Sequence, residues 1–331
     1  MTPSDNGGGL GIRPVYYDCD TGIDDSMGLA YLLSSPEIRL VGVGTVSGNT
    51  DARQAAENTL RLLGLDGRAD VPVAIGATHF LAHEYQGGPT EIHGDNGVGN
   101  VDLPPVDLRP VTESAAEMIV RLSRHYEGRL EIISVGPMTN LALALQLDPE
   151  LPARVMQVTS MGGAALAPGN ASPVGEANVW NDPEAAAMVV AAAWPVTLVG
   201  LDVTLENVLE ESHRAQLIAS ERPLARAIGE ILDFYFDFYL PQYGRRCSAL
   251  HDPLAAAIGV GSIVPVDSPW VDVQVDATDG PGRGQTIADL RGQRLGPVDH
   301  PGAHTRMVLA TDRKLPDILV ERLTGSAQVR R

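Results

Sequence analysis

Four carboxylates crowd into one short stretch of this chain. In DCDTGIDD, Asp18, Asp20, Asp24 and Asp25 fall within eight residues, between the apolar run PVYYDCD and the apolar stretch IDDSMGLAYLL. Acids favour the positive end of a helix dipole, and Asp24 can serve as an N-cap. That accounts for one or two of the four, not for a pair on each side of a Thr-Gly turn. Like charges this close raise one another's pKa and cost stability unless something positive sits among them. No arginine follows nearby after Arg13. A divalent cation is the simpler partner, and hard oxygen donors suit Ca²⁺ or Mg²⁺ better than zinc.

Other acidic motifs and the bulk composition narrow the choice. An EF-hand loop needs alternating Asp/Asn ligands and a Glu at its twelfth position, and that pattern is absent. A haloacid-dehalogenase-type Mg²⁺ phosphatase also opens on a strand and a D-x-D pair; its next signature position is Thr or Val, where this chain has Gly22. That reading stays open as an alternative. The 331 residues are 44% hydrophobic and 20% charged, enough for one large α/β domain or two small ones. A net charge of −18 argues against a nucleic-acid backbone or an anionic membrane as partner. Cys19 and Cys247 are too few and too far apart for a disulfide framework and read as buried thiols. The N-terminal MTPSDNGGGLGIRP has no apolar segment of a signal peptide, and no run is long enough to span a bilayer. A cytoplasmic protein is expected.

Acids in one turn do chemistry only if a scaffold brings other loops to them. Apolar runs alternate with helical patterns: PVYYDCD reads as a buried strand, DDSMGLAYLLSS as a helix stopped at Ser35-Pro36, IRLVGVGTVSG as a strand and DARQAAENTLRLLGL as a helix. The series continues through VPVAIGA, ESAAEMIVRLSRHYEG, LEIISVG, NLALALQL, VMQVTSMGG, DPEAAAMVVAAA and PVTLVGLDVT. Continuous apolar strands separated by helices imply a mainly parallel sheet covered on both faces. Residues from Glu206 to about Tyr239 read as mostly helical, and HDPLAAAIGVG opens another helix. WVDVQVDAT, GQTIADLRG and HTRMVLATD alternate like antiparallel strands before a last helix near Leu315–Leu323.

The expected fold is thus α/β, a single domain over residues 14–325. Its Rossmann-like core is a mainly parallel central sheet flanked by helices, with a small antiparallel C-terminal extension. Residues 1–13 and 326–331 read as tails. The Pro/Gly-rich stretches at 87–105 and 163–175 read as long functional loops. In such folds ligands sit beyond the carboxyl ends of the parallel strands, where Asp20, Asn49, Val135-Gly136 and Met161-Gly162-Gly163 fall.

DCDTGIDD resembles the N-terminal signature of the nucleoside hydrolases, the inosine–uridine-preferring hydrolase family. Further segments agree in order: TVSGN ending at Asn49, IHGDNGVG, SVGPMTNLALAL, MGGAALAPGNASPVGEANVWNDPEAA and HDPLAAA. The likeness runs over roughly residues 14–260. Six separated motifs in register do not arise by chance.

The resemblance implies Ca²⁺ held by the carboxylates of Asp20, Asp25 and Asp252 and by the backbone carbonyl of Val135. It implies Asp24, Asn49 and Asn178 on the ribose 2′ and 3′ hydroxyls, with Asn170 and Glu176 near the 5′ hydroxyl. The implied reaction is hydrolysis of a ribonucleoside to free base and ribose. N-glycosidic bonds break through an oxocarbenium-like transition state that surrounding negative oxygens stabilise. The metal orients a water, and Asp20 takes its proton. His251, next to Asp252, is the implied acid for the leaving base. Tyr235 and Tyr239, four apart on one helix face, match family tyrosines near the base. His93 matches the family's loop, where it can equally cap structure.

Purine-specific relatives carry Trp at the His251 position and an aromatic where this chain has Ala177, so inosine–uridine or pyrimidine preference is expected. Trp180 reads as packing, and Asp18 has no ligand role. The expected assembly is a homodimer or homotetramer, as in relatives. A non-catalytic nucleoside-binding protein is the alternative from another class; the intact acidic and amide set argues against it.

Overall fold

The computed structural model describes residues 12–325. The expected tails at 1–13 and 326–331 fall outside that range, except for exposed Ile12 and for Arg13, which already opens the first strand. Strand β1 (Arg13–Cys19) leads into α1 (Ile23–Leu33), followed by β2 (Ile38–Thr45), α2 (Ala52–Leu65) and β3 (Val73–Ile75). A short α3 (Thr90–His93) and α4 (Ala115–His125) precede β4 (Leu130–Ser134), α5 (Thr139–Leu147) and β5 (Val155–Met161). Next come α6 (Ala177–Asn181), α7 (Pro183–Ala191), β6 (Val196–Val199) and the single turn α8 (Leu201–Thr204). Then follow β7 (Val208–Glu210), α9 (Glu211–Ile218), the long α10 (Pro223–Tyr243), β8 (Cys247–Ala249) and α11 (His251–Gly259). The chain continues through β9 (Pro265–Asp267), β10 (Trp270–Val271), β11 (Val273–Val275), β12 (Thr286–Ala288), β13 (Thr305–Met307), β14 (Ala310–Thr311) and α12 (Pro316–Thr324).

The main sheet has the order β10-β13-β6-β5-β4-β1-β2-β3. All its pairs are parallel except β10 with β13. Side chains of β1 alternate between the faces: Val15, Tyr17 and Cys19 join the core under α1, α2, α10, α11 and α12, and Tyr16 joins the core under α4, α5 and α7. Because β1 is flanked by β2 on one side and β4 on the other, strand order reverses there. The crevice beyond the carboxyl ends of β1 and β4 is the place where such sheets bind ligands.

Several segments differ from expectation. HTRMVLATD contributes β13, which joins the main sheet parallel to β6 as well as pairing with β10. β6 would otherwise leave a row of backbone donors and acceptors unpaired. WVDVQVDAT divides between β10 and β11, which belong to different sheets, and β11 pairs antiparallel with β12 as expected of a small extension. β7 interrupts the helical region after Glu206 by pairing with β8. PVTLVGLDVT is strand only to Val199, beyond which Gly200 turns the chain into α8. Both cysteines are free and buried.

Candidate active site

The β1–α1 turn builds the floor of the crevice. Gly22, rather than Asp24, is the N-cap of α1. Asp25 straps the turn, its Oδ1 accepting the Asp20 N–H and its Oδ2 the Gly22 N–H, each at 2.9 Å. His93 closes the turn from the opposite loop, where Nδ1 accepts the Ile23 N–H at 3.1 Å. A β-carbon at Gly22 would lie 2.6 Å from His93 Nδ1 and 2.7 Å from Asn49 Nδ2, so only glycine lets the three segments meet. Asn49 draws the β2 loop onto the acids: its N–H donates to Asp20 Oδ2 at 2.6 Å and its amide to Asp25 Oδ2 at 2.9 Å.

Asp24, Asp25 and Asp252 each present a carboxylate oxygen within 4.8 Å of the others, and all three are buried. This trio includes Asp24, expected on the ribose. Asp20, expected with the metal, is fully buried and has both oxygens engaged by Asn49. Burial, reinforced by Asp25, raises Asp24 to about 8. Burial and the neighbouring acids also push Asp20 and Asp252 up. No lysine or arginine lines the pocket among the described residues. Asp24 Oδ1 and Asp252 Oδ2 are buried with no hydrogen-bond partner. Buried carboxylates without a counter-charge are strongly disfavoured. An all-oxygen set with two unpartnered carboxylate oxygens therefore fits a hard divalent cation.

Asp18, without a role from sequence, lies behind this floor. Its Oδ1 accepts from the Tyr16 hydroxyl and the Asn140 amide, both at 3.0 Å. Burial raises it to about 7, against the pull of those two bonds. Asn140 also donates to the Thr45 carbonyl at 3.0 Å and accepts the Ala77 N–H at 2.9 Å, knitting the β2 and β3 loops to β1. The Asp18 carbonyl accepts the Val135 N–H at 2.8 Å. That bond fixes the Val135 carbonyl, which accepts from the Asn178 amide at 2.7 Å.

A pocket of about 590 Å³ opens above the floor. Asp24, Asn49, His93, Val135, Asn170, Glu176, Asn178, Tyr235, Tyr239, His251 and Asp252 all line it, with Asp20 and Asp25 buried beneath. Glu176 caps α6: Oε1 accepts the Asn178 N–H at 3.0 Å, and Oε2 the Val179 and Gly163 N–H groups at 3.2 and 3.0 Å. Burial still raises its pKa. Asn170 reaches the same helix, its Oδ1 accepting the Ala177 N–H at 2.9 Å. Trp180, read as packing from sequence, is 44% exposed and lines the pocket, its ring lying over Gly175 and Gly284.

Aromatic side chains of α10 form the opposite wall. The Tyr235 ring lies 5.8 Å from His93 and 5.0 Å from Tyr239, edge to face with the latter. The Tyr239 hydroxyl is 2.9 Å from His251 Nε2, and His251 Nδ1 is 2.9 Å from Thr204 Oγ1. Burial lowers His251 to about 4. Burial, with His251 adding, lowers His93 to about 3, in keeping with its acceptor role at α1. Sequence reasoning missed Thr204, Phe238 and Gln242. Phe238 and Gln242 line the wall on α10, where helical spacing from Tyr235 and Tyr239 offered the only signal.

The inosine-uridine preferring nucleoside hydrolase family profile matches residues 15–315. The chain belongs to the nucleoside hydrolase family. It is 38% identical over 243 residues to a probable uridine nucleosidase 2 of Arabidopsis thaliana, covering 73% of this chain and 75% of that protein. It is 34% identical over 282 residues to a pyrimidine-specific ribonucleoside hydrolase of Shewanella woodyi, covering 85% of this chain and 89% of that one. Among solved structures, a plant nucleoside hydrolase superposes with a TM-score of 0.88 at 29% identity, over 95% of this chain and all of the other (100%). A purine-preferring ribonucleoside hydrolase from Gardnerella vaginalis gives 0.86 at 31% identity, over 96% and 100%. This nucleoside hydrolase is thus an N-ribohydrolase acting on ribonucleosides, and the phosphatase and non-catalytic alternatives fall away. No described helix is long and apolar enough to cross a membrane.

Proposed function

We propose that this nucleoside hydrolase is Ca²⁺-dependent and prefers uridine or another pyrimidine ribonucleoside. The observation that carries the reading is the pair of unpartnered buried oxygens, Asp24 Oδ1 and Asp252 Oδ2, in the same pocket as the Tyr239–His251 pair. Asp20, Asp25, Asp252 and the Val135 carbonyl would hold the cation, with Asp24 shared between cation and ribose. When bound, it neutralises the acids, orients the ribose 2′ and 3′ hydroxyls and acidifies a water.

The chain's own groups do the rest. Asp20 accepts the proton of the attacking water, and the surrounding carboxylates stabilise positive charge developing on the sugar. Asn49 and Asn178 bind the 2′ and 3′ hydroxyls, and Asn170 and Glu176 the 5′ hydroxyl. His251 gives a proton to the leaving base, backed by Tyr239. Its low pKa makes the imidazolium a strong acid, sparsely populated but quick to release its proton. The proton given to the base and the one taken from water balance over a turnover. His93 and Tyr235 flank the base. The similarity to a probable uridine nucleosidase and to a pyrimidine-specific ribonucleoside hydrolase supports a pyrimidine, as does the small Ala177 in place of an aromatic. The purine-preferring relative shares the fold, so the pocket wall rather than the fold sets the base.

A panel of uridine, cytidine, inosine, adenosine and 2′-deoxyuridine, assayed with and without chelator, tests the reading. Ribose release that is fastest on uridine and restored by Ca²⁺ after chelation is expected. Asp20→Ala should abolish turnover and keep the fold; near wild-type ribose release from it refutes the mechanism. A cytoplasmic homodimer or homotetramer completes the proposal, and sedimentation and fractionation test it.

A further inference from the structure

α8 is one turn long, yet it touches both halves of the pocket. Thr204, fully buried, meets His251 Nδ1 at 2.9 Å on the side of the ring opposite Tyr239. Two residues earlier, the Asp202 carboxylate gathers three successive backbone donors at the start of the 163–175 loop. It accepts the Ala165, Leu166 and Ala167 N–H groups at 2.9, 2.6 and 3.0 Å. The Leu201 N–H donates to the Gly163 carbonyl at 2.9 Å, and the Gly163 N–H donates to Glu176 Oε2 at 3.0 Å. Hydrogen bonds and the backbone of α8 therefore connect His251 to Glu176.

We propose that α8 is the positioning element that sets the leaving-group acid against the ribose cradle, with Thr204 orienting His251 and Asp202 holding the loop of Asn170 and Glu176. An imidazole bonded at both nitrogens keeps its ring orientation, and a hydroxyl that accepts from one of them fixes the tautomer. With Thr204 Oγ1 accepting from Nδ1–H, Nε2, the nitrogen beside Tyr239, is left to take up the proton and pass it to the base. Without the hydroxyl the ring is held at one nitrogen and swings. Asp202 acts on the sugar instead. Three N–H groups on one carboxylate fix the loop's first turn, and Asn170 follows three residues later. Both groups sit on one helical turn, so neither shifts without the other. A 1 Å misplacement of reacting groups costs on the order of 10²-fold in rate.

The proposal rests on the reading that His251 serves the base and that Asn170 and Glu176 serve the 5′ hydroxyl. The test uses wild type, Thr204→Val, Thr204→Ser and Asp202→Ala on uridine, 5′-deoxyuridine and p-nitrophenyl riboside, with folding checked by circular dichroism. Nitrophenolate leaves without protonation, so it bypasses the acid. Thr204→Val is expected to lose about 10- to 100-fold in kcat on uridine and far less on the nitrophenyl riboside, and Thr204→Ser to recover most of the loss. Asp202→Ala is expected to bring the uridine to 5′-deoxyuridine ratio of kcat/KM towards one.

Equal losses of Thr204→Val on uridine and the nitrophenyl riboside, or an unchanged ratio in Asp202→Ala, overturn the corresponding role of α8. The ¹⁵N-histidine spectrum of wild type gives a reading that needs no substitution. A single fixed His251 tautomer supports the proposal, and a ring averaging between tautomers overturns it. Wild type that does not distinguish uridine from 5′-deoxyuridine refutes the 5′ assignment itself, and the Asp202 role with it.

Discussion

Stripping the divalent cation should make stability fall as pH rises, and the groups responsible can be named. Burial raises Asp18 from 3.8 to about 7 and Asp24 from 3.8 to about 8. Without a cation, each stays protonated in the fold over a range where the unfolded chain ionises. Their stabilising contribution is complete below 3.8, declines as pH rises, and is lost above the folded pKa. His93 and His251 work in the opposite sense. Burial lowers them from 6.5 to about 3 and about 4, so the unfolded chain binds their protons more tightly, and this penalty disappears by pH 6.5.

From about pH 4 to 6.5 the two pairs roughly offset each other; above it the carboxyls act alone. At about 1.4 kcal/mol per pH unit for each proton retained, Asp18 and Asp24 together lose about 3 kcal/mol between roughly pH 6.5 and 8.5, about 2 kcal/mol of it from Asp24. A bound cation would keep Asp24 ionised and remove its share of this slope. Thermal melts of metal-stripped protein, with and without added Ca²⁺, should therefore show a Tm gain larger by several degrees at the higher pH. A Ca²⁺-induced gain of equal size at both pH values refutes the assignment of Asp24 to a cation site.

Other consequences are open to direct measurement. Tyr239→Phe and His251→Ala should each slow uridine hydrolysis by about 10²-fold or more and spare an activated nitrophenyl riboside. Because they share one hydrogen bond, the double variant should be little worse than either alone; fully additive losses would separate their roles. 2′-Deoxyuridine should react slower than uridine by on the order of 10⁴-fold, since a missing hydroxyl leaves buried polar groups unpaired, and comparable rates count against the ribose cradle. Asn140→Leu removes bonds to Asp18, Thr45 and Ala77 and should cost about 3 kcal/mol in denaturant melts. A change below about 1 kcal/mol would show that this amide does not hold the floor.

Much of the site was legible because its residues are local in pattern even where they are distant in sequence. A cation needs acids at the mouth of the sheet, and DCDTGIDD and HDPLAAA place them where a strand or loop runs into a helix. The apolar runs gave the parallel sheet for the same reason: a strand buried on both faces has no polar alternation to show. The proposed sugar cradle was carried by motif alone, since single Asn and Glu residues have no physical signature until their partners are known.

The sequence by itself determined the α/β architecture, the crowded acids that fit a cation, and the family. Tertiary structure decided how those acids divide. Asp18 is set behind the floor by Asn140, 122 residues away, and Asp24 joins Asp25 and Asp252 in the tight trio. It also decided which edge β13 completes, and it turned the end of PVTLVGLDVT into α8, where Thr204 reaches His251 47 positions on. The reason is physical. Spacing along a chain fixes which residues share a face of one element, but a hydrogen bond between two elements depends on how they pack, and that is settled only when the whole core closes.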